Sequence, residues 1–133
     1  MRVSNEVSAV TALGTVRMPG TGEVFAAGCP SRVVLDHVTS KWGVLVLVAL
    51  ADGPQRWSEL RRRAEGISEK MLAQTLRTLE ADGFVNRDAQ PVIPPRVDYS
   101  LTERGAELVA LLLPLFGWVV ANADVIVGER APA

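Results

Sequence analysis

The stretch "GISEKMLAQTLRTLEADGFV", Gly66 to Val85, decides how the rest of the chain is read. Leu72, Leu76 and Leu79 recur at spacings of four and three, the signature of one buried helix face. Ser68 stands where a helix start wants a side-chain oxygen, and Gly83 where a helix end wants a left-handed residue. A helix advances about 100° per residue, so Lys70, Gln74 and Arg77 project from the flank opposite the leucines, with small Ala73 beside them. The spacing therefore predicts a rod clamped from behind, with hydroxyl, amide and cationic groups facing water.

Working outward, "RWSELRRRAEGIS" (Arg56–Ser68) supplies a shorter helix. Ser58 is its expected N-cap, Leu60 its inward residue, and "EGIS" the tight turn that follows. Upstream, "KWGVLVLVALADGP" is a helix surrounded by apolar residues, hence a buried one, and "CPSRVVLDHV" begins another with Pro30 in its first turn. Downstream, "FVNRD" and "RVDYSL" form a β-hairpin joined by "AQPVIPP", a loop stiffened by three prolines. "TERGAELVALLLPLFGWVVANADVIV" closes as a long helix capped at Thr102, with Pro114 expected to kink or interrupt it. The order is four helices, a two-stranded ribbon and a final helix: a mainly α fold with a small β-hairpin wing, a winged helix-turn-helix. Residues 1–28 read as an arm, in which "EVSAVTALGTVRM" could make a short strand. Residues 29–102 read as the winged unit with its preceding helix, and 103–133 as a last helix and tail.

With 133 residues and 48% hydrophobic content, the chain can build one real core. Formal net charge is −1, so bulk charge does not mark a nucleic-acid binder. Locally the balance differs: residues 56–97 hold eight Arg or Lys against six Asp or Glu, and residues 98–133 hold two against five. One cysteine excludes an intramolecular disulfide, and one histidine with one cysteine makes no ordinary zinc site. No secretion signal is visible, and the longest apolar run, "WGVLVLVALA", is too short to span a bilayer. A cytoplasmic chain with no membrane association and no cofactor is the expectation.

A helix-turn-helix presents its second helix to the major groove of DNA. Glutamine can pair with adenine, and lysine or arginine with guanine. The expected DNA-contacting set is Ser68, Lys70, Ala73, Gln74 and Arg77 on that helix, Ser58, Arg61, Arg62 and Arg63 before the turn, and Arg87 and Arg96 bracketing the wing. The same geometry also serves protein contacts, and a helix at water carries charges on its outer face in any case. A winged-helix interaction module without DNA therefore stays open.

Taken together, "CPSRVVLDHVTSKWGVLVLVAL", "GPQRWSELRRRAEGISEKMLAQTLRTLEADGFVNR" and "PPRVDYSLTERGAEL" resemble the HxlR family of MarR-like bacterial winged-helix transcription regulators. The resemblance runs from Cys29 to about Trp118 and rests on pieces in order: Cys29-Pro30, Lys41-Trp42, Trp57 to Leu60, Ile67-Ser68, Lys70 to Leu72, Tyr99, Leu101-Thr102 and Gly105. It implies a homodimer on a palindromic operator, with the first and last helices forming the dimer interface. The wing, "DAQPVIPP", has fewer charges than the resemblance leads one to expect.

Cys29 sits at a helix start, where backbone N–H groups favour anions. Some members of the resembled family use a cysteine there to sense oxidants or electrophiles, by disulfide formation or alkylation. A lone cysteine can equally be a small buried hydrophobe. His37 is expected to be a polar residue of the dimer interface. Trp42, Trp57, Trp118, Phe84, Phe116 and Tyr99 are expected core or dimer anchors, or else the lining of a small-molecule effector pocket near the dimer interface. An enzyme with Cys29 as nucleophile lacks a partner base, so no catalysis is expected.

Overall fold

The structure is a computed structural model that describes residues 25–130. The arm reading for residues 1–24, its strand and the last three residues lie outside the described residues. The chain divides into two compact units, Met1–Thr39 and Ser40–Ala133. In the first, α1 (Pro30–Val38) opens with Pro30 and is capped by Cys29, whose Sγ accepts from the Arg32 N–H at 3.3 Å. Its Val33, Val34 and Leu35 are exposed, while Val38 is buried.

The second unit is built on α2 (Lys41–Leu50), α3 (Trp57–Arg63), α4 (Glu69–Ala81) and α5 (Glu103–Glu129), with strands β1 (Gln55–Arg56), β2 (Val85–Gln90) and β3 (Arg96–Leu101). Val46, Leu47 and Leu50 of α2 meet a core completed by Leu60, Leu72, Leu76, Leu79, Val85 and Tyr99. Ser40 caps α2, its Oγ accepting from Gly43 N–H at 3.0 Å. The ribbon pairs β2 with β3 antiparallel from Val85↔Leu101 to Gln90↔Arg96.

Three expectations need correction. The ribbon is a three-stranded sheet in the order β1-β3-β2, because Gln55 and Arg56 pair with Tyr99 and Asp98. Gln55 is buried, and its side-chain amide donates to the Ala49 carbonyl, giving that carbonyl a partner at the end of α2. Ser58 is not the cap of α3. The cap is Arg56 and the helix starts at Trp57, each two residues earlier than expected, because the Glu59 carboxylate accepts from the Arg56 N–H at 2.8 Å and holds the first turn there. Nor does Pro114 interrupt the last helix, which runs unbroken for 27 residues. Proline removes the N–H that Ala110 would receive, and Ala110 is exposed, where water can take that carbonyl.

The α4–β2 turn is fixed from two sides. Gly83 has φ +83°, as the helix end demands, and Thr102 donates its hydroxyl to the Gly83 carbonyl while accepting from Gly105 N–H at 2.9 Å. Arg104 adds a bond to the Asp82 carbonyl at 2.9 Å. At Gly105 a Cβ would run into the Phe84 backbone, so α5 can approach this turn only with glycine there.

Candidate nucleic-acid interface

Helix α4 is positioned by its leucines and started by Ser68, whose Oγ accepts from Met71 N–H at 3.0 Å. Leu72, Leu76 and Leu79 are essentially sealed from water, at 0%, 3% and 1% exposure. Lys70, Gln74 and Arg77 are exposed, and Ala73 is half-buried beside them. Polar groups are therefore fixed in direction on a rod that the core prevents from rolling. The turn before it uses Gly66 at φ +95°, with Ile67 buried as the pin between the two helices.

On α3 the arginine triplet splits. Arg61 and Arg62 are exposed, and Arg61 lies 3.7 Å from Glu69 across the turn, their side chains 47% and 69% exposed. Such a pair is weak enough to exchange for a phosphate. Arg63 instead bonds the Ala49 carbonyl at 3.2 Å and the Asp52 carboxylate at 2.8 Å. It closes the end of α2, and its charge is already matched there. Ser58, in the first turn of α3, is exposed beside Trp57.

On the wing, Arg87 is exposed opposite Tyr99. Arg96 is exposed but bonded to Asp98 at 3.2 Å, and Gln90 donates to Asp88 and Asp98 at 3.3 and 3.2 Å. Two residues join the exposed set that the sequence reading did not single out. Arg56 stands at the start of α3 beside the wing loop, in a cleft of about 600 Å³ that it lines with Trp57, Ser58 and residues 92–97. Met71 is 38% exposed on the flank of α4. The signal for Arg56 was its place next to Trp57-Ser58; for Met71 it was the helical angle, which sets it off the leucine stripe.

The anchor aromatics divide as well. Phe84 and Tyr99 are core residues, and Trp42, Trp57 and Phe116 are half-buried. Trp118 is 58% exposed, in the middle of an apolar surface that α5 shows to water through Leu111, Leu115, Val120, Val125 and Val127. By length and composition alone, α5 could cross a membrane. Pro114, Asn122 and Asp124 interrupt its apolar run, so no unbroken stretch of that length stands in the sequence there. Between α2 and α5 lies an apolar pocket of about 410 Å³ lined by Val44, Leu45, Leu112, Leu115, Phe116 and Val119, with Lys41 as its charged member.

This architecture recurs among known proteins. The chain is 53% identical over 109 residues to the uncharacterized HTH-type transcriptional regulator YtfH of Escherichia coli (strain K12), covering 82% of this chain and 86% of that one. It is similar to the solved structure of a transcriptional regulator YtfH from Salmonella typhimurium, with 54% identity, a TM-score of 0.74, and coverage of 80% of this chain and 95% of that one. It is similar also to the redox regulator HypR in its oxidized form, at 39% identity and a TM-score of 0.66, over 71% of this chain and 97% of that one. These solved structures share its mainly helical, winged helix-turn-helix build. The profile of the HxlR-like helix-turn-helix family matches residues 37–126, and with the relatives above it establishes that this chain belongs to that family.

Proposed function

We propose that the protein is a homodimeric, sequence-specific DNA-binding transcription regulator, a repressor, that lays α4 in the major groove of each half of a palindromic operator. The observation that carries this reading is the exposure of Lys70, Gln74 and Arg77 directly opposite three buried leucines. Ser58, Arg61 and Arg62, with Ser68 and Ala73, flank that row and meet phosphates or allow close approach. Arg87 and Arg96 serve the wing. Arg63 keeps its structural partners and contributes only to the local field. The exposed apolar residues of α1 and of α5, on the latter spread over both sides of the helix, each belong against a second copy, since exposed apolar surface of this extent marks an interface. Residues 29–102 carry the winged unit and 103–133 the dimer helix and tail. The protein works in the cytoplasm, on the nucleoid. A gel shift against duplex selected by the full-length chain tests the reading, with Gln74→Ala and Arg77→Ala expected to weaken binding.

Control of DNA binding through Cys29 is supported by its place as the cap of α1, half-buried, and by the description of the similar protein HypR as a redox regulator. Modification of Sγ would remove the bond to the Arg32 N–H. Cys29→Ser should bind DNA as before and no longer release it on treatment with a thiol oxidant. The α2–α5 pocket favours a second form of control, by an apolar effector molecule. In that case Cys29→Ser leaves the response intact, and Leu45→Trp, which fills the pocket, abolishes it.

A further inference from the structure

The wing tip has a chemistry that phosphate binding does not explain. Its five residues, Pro91 to Pro95, carry no charge, and they present Ile93 at 98% and Val92 at 48% exposure. Three prolines fix most of the backbone, so little freedom is lost when this tip meets a surface. At its root, Asp88 and Asp98 face each other across the ribbon; Gln90 donates to both, and Arg96 pairs with Asp98, which balances one of the two negative charges.

What lies beside the tip indicates what it meets. The cleft of about 600 Å³ runs between the wing loop and Arg56, Trp57 and Ser58. A second cleft of about 350 Å³ shares Trp57 and Ser58 and continues along Arg61 and Arg62. A track with Arg56, Arg61 and Arg62 at its sides, and Arg96 beside it paired to Asp98, thus leads from the apolar tip to the start of the helix-turn-helix. Its charge complements a phosphate strand. In a duplex each strand separates a major from a minor groove. With α4 in the major groove and a strand in this track, the tip stands on the minor-groove side.

We infer that Ile93 is an apolar wedge that enters the minor groove next to each half-site and reads its floor by shape. The inference rests on the reading of α4 as a major-groove helix. Guanine places an N2 amino group on that floor, whereas an A·T pair leaves it clear, and apolar side chains serve as minor-groove wedges. The tip therefore selects against G·C in the flank without making a hydrogen bond.

The test uses the full-length chain and the duplex it enriches from a random-sequence pool, prepared with flanks of A·T, G·C or inosine·C pairs. Inosine presents the same major-groove acceptors as guanine but lacks the N2 amine. The wild-type chain should bind A·T and inosine·C flanks alike and G·C flanks about tenfold more weakly. Ile93→Ala should bind all three equally, and Ile93→Leu should restore the discrimination. Because Ile93 is almost wholly in water, these variants leave the fold intact. Equal wild-type affinity for the three flanks overturns the wedge alone, as does discrimination that survives Ile93→Ala. A change in the sedimentation of DNA-free Ile93→Ala also overturns it, by showing the tip to be a protein contact. A wild-type chain that enriches no duplex overturns the reading of α4, and the wedge with it.

Discussion

Helices α4 and α5 treat the same problem in opposite ways. Each has an apolar side and must put it somewhere. Helix α4, 13 residues long, buries its leucines within its own unit and turns its polar side outward. Helix α5, 27 residues long, buries Gly105, Val109 and Leu112 near its start, and from Leu113 onward none of its residues is buried. A completed helix whose free side is polar suits a polar partner that it can leave, such as a nucleic-acid groove. An incomplete helix whose free side is apolar calls for a permanent one, which in the proposed dimer is a second copy of the chain.

The largest effect should come from breaking the completed helix from behind. Leu72→Ala removes a side chain with no exposure and should cost about 2–5 kcal/mol of stability, read in a urea titration. The incomplete helix should respond differently. Val120→Glu places a charge where each fully buried apolar side chain is worth about 1.5–3 kcal/mol, and a two-fold axis counts it twice. Sedimentation should then report the 14.3 kDa subunit in place of a dimer, although Leu72 and its neighbours stay packed. A dimer that survives both Val120→Glu and Leu111→Glu, which lie on opposite sides of the helix, would assign the apolar surface of α5 to something else.

Changes on the outer side of α4 should leave stability alone. Gln74→Ala and Arg77→Ala should each weaken binding to the selected duplex by about 1–3 kcal/mol, with unchanged urea midpoints. Ser68→Ala should destabilise by about 1 kcal/mol through loss of the bond to Met71 N–H, a cap effect visible in the urea titration without DNA. The smallest and most discriminating comparison lies within the arginine triplet. Arg62→Gln should lower the slope of log affinity against log salt on random duplex by about one. Arg63→Gln should leave that slope near its wild-type value and shift stability by less than about 1 kcal/mol, since its partner Asp52 is exposed. Equal salt slopes for Arg62→Gln and Arg63→Gln would erase the distinction drawn between them.

What the sequence made legible follows from how local each cause is. The leucine spacing, the Ser68 and Thr102 caps and Gly83 all act within a turn or two of helix, so α4 and the start of α5 could be read directly. Strand β1 could not, because Gln55 and Arg56 have no strand pattern of their own and become a strand only by pairing with Tyr99 and Asp98. Nor could the division of the arginines be seen: Arg63 differs from Arg62 only in that α3 turns it toward the end of α2. The start of α3 is not legible because Ser58 is a good cap by type, whereas the side chain that fixes the start is Glu59, which reaches back one turn to accept from the Arg56 N–H. Trp118 shows the same limit at larger scale, since a tryptophan suits a core and an interface equally well and only its exposure separates them.

Selection of duplex from a random-sequence pool by the full-length wild-type chain, repeated with Gln74→Ala and Arg77→Ala together, addresses the outer side of α4 most directly. The account predicts that wild type enriches two inverted half-sites spaced about one helical turn apart, or a multiple of it, and that the double variant loses that enrichment while remaining folded. Enrichment of the same half-sites by the double variant, or of none by the wild type, would contradict it.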